Sequence, residues 1–144
     1  MVWYQPVRAL ASGRTTGVEA LVRWQHPRRG LLLPGAFIPL ADDCGLIHQL
    51  GEWVLRRACE DVAAMDVGED FRLAVNVSVR QLKHPQFEQG VLSILAESGF
   101  DPRRLEFEIT ESALFHGAEA ATEAVQRLGR HGIRFSLDDF GTGY

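Results

Sequence analysis

Short apolar runs rich in β-branched residues alternate along the chain with longer runs of helical periodicity, and this alternation constrains the fold most strongly. The patterns predict strands at 71–78, 104–109 and 133–138, and helices at 46–65, 85–98 and 119–131. Parallel strands need long crossover connections, which are usually helices. The order of elements therefore predicts an α/β fold with a mainly parallel sheet.

The beginning of the chain breaks this pattern. Two strand-like runs, at 2–10 and 17–25, flank the turn-forming stretch "ASGRTTG", which predicts a β-hairpin with a long loop. Residues 26–35 contain two prolines and two glycines and are predicted to form a loop, followed by a short helix at 36–44. The first strand should therefore run antiparallel to the second.

Composition narrows the class of protein. The chain has 144 residues and a net charge of -4, so we expect one domain, or part of one, and no DNA or RNA partner. No apolar run is long enough to span a membrane, and neither cysteine belongs to a CxxC pair, so we expect a reducing, cytoplasmic location. Cys59, Trp24 and Trp53 are predicted to be buried.

Polar side chains occupy the ends of several predicted strands. Asn76, Glu108 and Asp138 follow one another at intervals of 32 and 30 residues, close to the length of one strand–helix unit. Glu19 lies in the second strand of the hairpin. Ligands of parallel α/β folds gather at the carboxyl ends of strands, so successive units should place these residues side by side.

The chemistry of this set is that of a hard metal site. Three carboxylates and a carboxamide oxygen suit Mg²⁺, Mn²⁺ or Ca²⁺ better than zinc. Asp139, next to Asp138, is placed to reach a second ion, and paired ions are a common device for phosphodiester hydrolysis. Taken singly, each residue is better explained as a surface, ion-paired or turn residue. Their shared position makes the metal site an equally good explanation.

Arg23 adds a second indication. It lies four residues after Glu19, on the same face of a strand and about 13 Å further along. A guanidinium there is suited to hold a phosphate bidentately, although a surface ion pair is the simpler alternative.

Several stretches together resemble the EAL family. They are "YQP" at 4–6, "EALVRW" at 19–24, "FIPLADDCGLI" at 37–47, "NVS" at 76–78, "EITES" at 108–112 and "DDFGTGY" at 138–144. The resemblance covers essentially the whole chain. It implies a modified TIM-type (β/α) barrel with an antiparallel first strand. It also implies hydrolysis of the bacterial second messenger cyclic di-GMP to linear pGpG with Mg²⁺ or Mn²⁺.

The resemblance also assigns roles to residues. Glu19, Asn76, Glu108 and Asp138 match the ligands of a first metal ion, with Asp138 bridging to a second ion that Asp139 also binds. Glu19, Asp138 and Asp139 are thus the expected catalytic residues of a cyclic-di-GMP-specific phosphodiesterase.

Three further residues match family positions around this centre. Arg23 matches a residue that contacts a ligand phosphate, and Gln5 is a second candidate contact. Glu111 matches the glutamate that anchors the loop beginning at 138. The sequence pattern alone instead indicates an acidic residue near the start of a helix.

A complete barrel takes about 250 residues, so residues 1–144 are expected to hold roughly five of eight strands of a truncated EAL domain. The second metal site should then be incomplete and the isolated piece inactive. The resemblance implies a parent protein that dimerises and carries regulatory domains. The alternative is a non-catalytic cyclic di-GMP receptor or scaffold.

Overall fold

The computed structural model describes residues 1–110 and 118–138, with only the main chain at Thr110, Ala118 and Asp138. Within them, five strands form one sheet in the order β1, β2, β5, β6, β7, and two short strands form a separate hairpin. The strands are β1 (Val2–Arg8), β2 (Thr15–Val22), β3 (Trp24–His26), β4 (Gly30–Leu32), β5 (Arg72–Asn76), β6 (Leu105–Thr110) and β7 (Arg134–Asp138).

Strand directions agree with the prediction. β1 pairs antiparallel with β2, and β2, β5, β6 and β7 then pair in parallel. Helices follow the parallel strands as crossovers: α1 (Ile38–Asp43), α2 (Ile47–Ala63), α3 (Val79–Leu82), α4 (Phe87–Ser98) and α5 (Ala118–Arg130). The fold is α/β and corresponds to part of a TIM-type barrel, as predicted.

Two elements differ from the sequence-based expectation. The predicted second strand ends at Val22, and β3 and β4 form a small hairpin where a loop was expected. These strands have only three residues each, too few for an alternating pattern to be visible, and Gly30 allows their turn with a φ of 71°. The single-turn helix α3 was also missed.

The core lies between one face of the sheet and the helices. Side chains alternate across each strand, so Leu105, Phe107 and Ile109 of β6 are all buried, while Glu106 and Glu108 lie on the opposite face. α2 and α4 cover the apolar face with buried side chains at Val54, Leu55, Ala58, Cys59, Val62, Val91, Ile94 and Leu95. The opposite face carries the predicted site residues Glu19, Asn76 and Glu108.

Trp24 and Trp53 do not fill this core, contrary to prediction. They are 42% and 46% exposed. Trp24 begins the short β3 hairpin, where its ring meets Phe37 edge-on at 5.7 Å, and Trp53 lies on the solvent side of α2. Large indole side chains are seldom fully buried, so an apolar position in a strand or helix pattern did not imply a place in the core.

Tyr4 fastens the antiparallel strand to the helical layer. Its hydroxyl donates a 2.6 Å hydrogen bond to Asp61 Oδ2 of α2, and Arg57 pairs with the same carboxylate at 3.0 Å. Burial and the neighbouring Asp61 raise the pKa of Tyr4 well above its usual range. β1 is thus held by side-chain contacts as well as by its ladder to β2.

Gly17 permits the close pairing of β2 and β5. A Cβ at this position would lie 2.5 Å from the main-chain oxygen of Arg72, which cannot move independently of its strand. We expect Gly17→Ala to lower the free energy of unfolding by about 1–3 kcal/mol, measured by thermal or urea denaturation. Gly129→Ala in the last turn of α5, where a Cβ meets nothing within 4 Å, is the control and should not lower it. Equal melting temperatures for the two variants would contradict this account.

The two cysteines should differ sharply in reactivity. Cys59 is fully buried, and burial raises the pKa of its thiol to about 12, whereas Cys44 is exposed. We expect a thiol reagent to modify Cys44 in the native protein at pH 8 and Cys59 only after denaturation, with mass spectrometry locating the modified sites. Comparable rates at both sites in the native protein would show that Cys59 is not sealed in the core.

Candidate metal and ligand site

The carboxyl ends of β2, β5 and β6 bring together three of the predicted site residues. Asn76 and Glu108 are direct partners in the parallel β5–β6 register. Asn76 Nδ2 donates a 2.8 Å hydrogen bond to Glu19 Oε1 on the neighbouring strand. The spacing of 57 residues between Glu19 and Asn76 is spanned by the β3–β4 hairpin, α1 and α2.

The chain after Asn76 explains why this residue is held firmly. Val77 N donates a 2.9 Å bond to Glu108 O, which continues the β5–β6 connection past the strand end. Ser78 then begins α3 with a capping box, in which its hydroxyl accepts from Gln81 N and its own N–H donates to Gln81 Oε1. Gln81 is only 6% exposed, so the turn is anchored in the protein interior.

Asp138 closes the neighbouring strand. In the β6–β7 register, Ser136 pairs with Glu108 and Asp138 pairs with Thr110. The Asp138 main chain therefore lies two residues further along the sheet edge than Glu108. Its side chain lies outside the described atoms, and Glu111 and Asp139 lie outside the described residues altogether. The metal-binding roles of all three stay predictions.

Gln5 and Arg23 lie on the β1 side of this edge. Gln5 is directly opposite Glu19 in the antiparallel register. Arg23 follows the last residue of β2, is half-buried, and donates from Nη1 to Val22 O at 2.9 Å. The sequence interpretation missed Trp3, whose indole lies under the Arg23 guanidinium with the Cζ atom 5.4 Å from the ring centroid. Strand alternation could have pointed to Trp3, because residues 3 and 5 lie on the same face of β1.

A cavity of about 980 Å³ opens beside the strand ends. Its wall includes Glu19, Asn76 and Glu108, together with apolar side chains from the sheet, α2 and α4. His48 and His84 also line it, with ring centroids 4.1 Å apart. Burial, followed by the effects of His84 and Arg80, lowers the pKa of His48, which favours its neutral form. These histidines are 36 residues apart in sequence, so no spacing pattern revealed them.

The donor chemistry of the rim fits a hard divalent cation. Within the described part of the chain, no three His, Cys, Asp or Glu side chains form a metal-binding group. The set found at the rim instead combines two carboxylates with an amide, and its amide N–H is directed at one of those carboxylates. Oxygen ligands of this kind are those that Mg²⁺ and Mn²⁺ accept.

An antiparallel strand followed by parallel strand–helix units, with acids and an amide at the strand ends, defines a (β/α)-barrel protein whose ligand site lies at the carboxyl edge of the sheet. The sequence profile of the EAL domain matches residues 1–144, and the chain belongs to the EAL domain family.

Similar proteins agree with this assignment. A signalling protein of Caulobacter vibrioides is 49% identical over 144 residues, which are 100% of this chain and 18% of that protein. The bifunctional diguanylate cyclase/cyclic di-GMP phosphodiesterase MucR of Pseudomonas aeruginosa is 43% identical over 98% of this chain and 21% of its own length. The solved structure of the MucR phosphodiesterase in complex with cyclic di-GMP superimposes with a TM-score of 0.92 and 42% identity.

This chain spans only part of those proteins. The match with the solved MucR structure includes 100% of this chain but only 59% of the MucR chain. The matches with the two similar proteins include about a fifth of their lengths, 18% and 21%. In the described ranges, 1–110 and 118–138, no helix is both long and apolar enough to cross a membrane.

The hydrogen bond between Asn76 and Glu19 leads to a test of the cation site. Asn76→Asp replaces the donor with a second carboxylate, and two carboxylates at this distance repel each other. We expect the variant to melt at a lower temperature than wild type in metal-free buffer, and saturating Mn²⁺ to reduce the difference.

The control for this test is Gln89→Glu, an amide-to-acid change on the exposed side of α4. Its melting temperature should respond to Mn²⁺ as wild type does. A Mn²⁺ response of Asn76→Asp no larger than that of Gln89→Glu would argue against a cation site at this rim.

Proposed function

We propose that the protein carrying this chain is a metal-dependent phosphodiesterase that hydrolyses cyclic di-GMP to linear pGpG. The observation that carries the proposal is the 2.8 Å hydrogen bond from Asn76 Nδ2 to Glu19 Oε1, which brings two proposed metal ligands of neighbouring strands together at the rim of an EAL-family barrel. The similar MucR protein is a diguanylate cyclase and cyclic di-GMP phosphodiesterase by name, and the solved structure of its phosphodiesterase is a complex with cyclic di-GMP.

In this proposal Glu19, Asn76, Glu108 and Asp138 hold a first Mg²⁺ or Mn²⁺, and Asp138 and Asp139 hold a second. Such ions activate a water and neutralise charge that develops on the phosphodiester. Asn76 and Glu19 are already in hydrogen-bond contact, which places both side chains within reach of a shared ion. The main-chain bond from Val77 to Glu108 fixes the separation of the β5 and β6 ligands.

Arg23 binds a phosphate of the ligand in this scheme. It carries a permanent positive charge on the same edge as the acidic residues, and a planar guanidinium matches two phosphate oxygens. Gln5, opposite Glu19, is a second contact for the ligand. Glu111 anchors the loop that begins at Asp138, and a homodimeric, multidomain parent protein is part of the same proposal.

A test of this function replaces one carboxylate in the full-length protein. Glu19→Gln keeps the shape of the side chain and an oxygen that accepts from Asn76, but it removes the negative charge. We expect it to lower the rate of pGpG formation at least about 100-fold at saturating Mg²⁺ or Mn²⁺, because a metal ligand is weakened. Chromatographic separation of nucleotide products gives the rate.

The control is Glu60→Gln, an exposed glutamate of α2 outside the cavity wall, which should retain full turnover. Undiminished turnover by Glu19→Gln would contradict the proposed role of Glu19 as a metal ligand. A wild-type protein that binds cyclic di-GMP yet releases no pGpG with either metal would instead establish the receptor alternative.

A further inference from the structure

Trp3 shares the functional edge of the sheet. It lies two residues from Gln5 on β1, so strand alternation puts both side chains on the face that carries Glu19. Main-chain bonds of 2.9 Å between Met1 and Arg23, in both directions, continue the β1–β2 ladder to the end of β2. The Trp3 indole remains 48% exposed at this edge.

The Trp3 ring makes a cation–π contact with the Arg23 guanidinium. The guanidinium carbon lies 5.4 Å from the ring centroid, and indole provides the strongest of the aromatic cation–π contacts. Arg23 Nη1 donates to Val22 O, while Nε is buried without a hydrogen-bond partner. Among the side chains that the structure describes, no carboxylate lies within ion-pairing distance of Arg23.

This environment orients the Arg23 cation without neutralising it. A surface ion pair would hold the side chain and occupy the donors that an anion needs, whereas a ring face does not engage the Nη2 donors of the guanidinium. The indole is itself restrained, because Nε1 donates to Met1 Sδ at 3.3 Å. A long side chain that is already ordered loses less conformational entropy when a ligand binds.

We infer that Trp3 is a positioning residue, which holds the Arg23 guanidinium in the orientation that receives a ligand phosphate. The inference rests on the proposed function, in which Arg23 contacts cyclic di-GMP. Trp3 therefore contributes to substrate affinity through Arg23 and takes no part in bond breaking.

The test measures kcat and KM for cyclic di-GMP in the full-length protein. Trp3→Leu should raise KM about 2- to 30-fold with little change in kcat, because a uniform binding contribution is lost. Trp3→Phe keeps a ring face and should restore most of the affinity. Trp53→Leu, a change at another half-exposed tryptophan away from this edge, should leave KM at the wild-type value.

A double-mutant cycle separates action through Arg23 from direct contact with the ligand. In an Arg23→Ala background, Trp3→Leu should have no further effect on KM. An additive effect in that background, or an unchanged KM in the single variant, would overturn the positioning role. Trp3→Thr, with a strand-favouring side chain, is a second non-aromatic variant and should raise KM as Trp3→Leu does.

The two proposals fail in different ways. If the wild-type protein neither binds nor cleaves cyclic di-GMP, the proposed function is wrong, and the inference about Trp3 is wrong with it. If the wild-type protein turns over cyclic di-GMP while Trp3→Leu keeps the wild-type KM, only the role of Trp3 is refuted.

Discussion

The two-sided sheet is the constraint on which the rest of the structure depends. Alternation along β6 sends Leu105, Phe107 and Ile109 into the helical layer, and the same alternation sends Glu106 and Glu108 to the other face. Burial of the apolar face supplies the main driving force for folding. A shift of one residue in any strand would exchange the two faces, so the packing that forms the core also fixes where the acidic residues lie.

Close pairing between β2 and β5 transmits this constraint to the site. Gly17 lets the two strands approach where a methyl group would strike the Arg72 carbonyl, and further along the same pair Asn76 reaches Glu19. Tyr4 and Asp61 hold the antiparallel strand against α2 from the other side. The position of Glu19 therefore depends on contacts made well below the rim.

The sequence was sufficient to predict the α/β class, the antiparallel start and the grouping of Asn76 with Glu108, because each depends on periodicity or on the length of a strand–helix unit. It was insufficient for the β3–β4 hairpin and α3, which are too short to show a period. The stacking of Trp3 beneath Arg23 and the pairing of His48 with His84 join residues far apart in sequence. Alternation along β1 places Trp3 on the face of Gln5, but the contact with Arg23, like the contact between the two histidines, depends on tertiary geometry. The bridging role of Asp138 was assigned from family resemblance and stays a prediction, because its side chain lies outside the described atoms.

The bond from Val77 to the Glu108 carbonyl, together with the capping box that follows it, has a consequence for ligand capture. Asn76 is clamped between a strand and a rigid turn, so its position is set by folding and not by an incoming ion. Because this main chain is already ordered, a ligand that binds at the rim has only the side chains to reorient. The main-chain spacing of β5 and β6 at this rim is therefore set before any ligand binds.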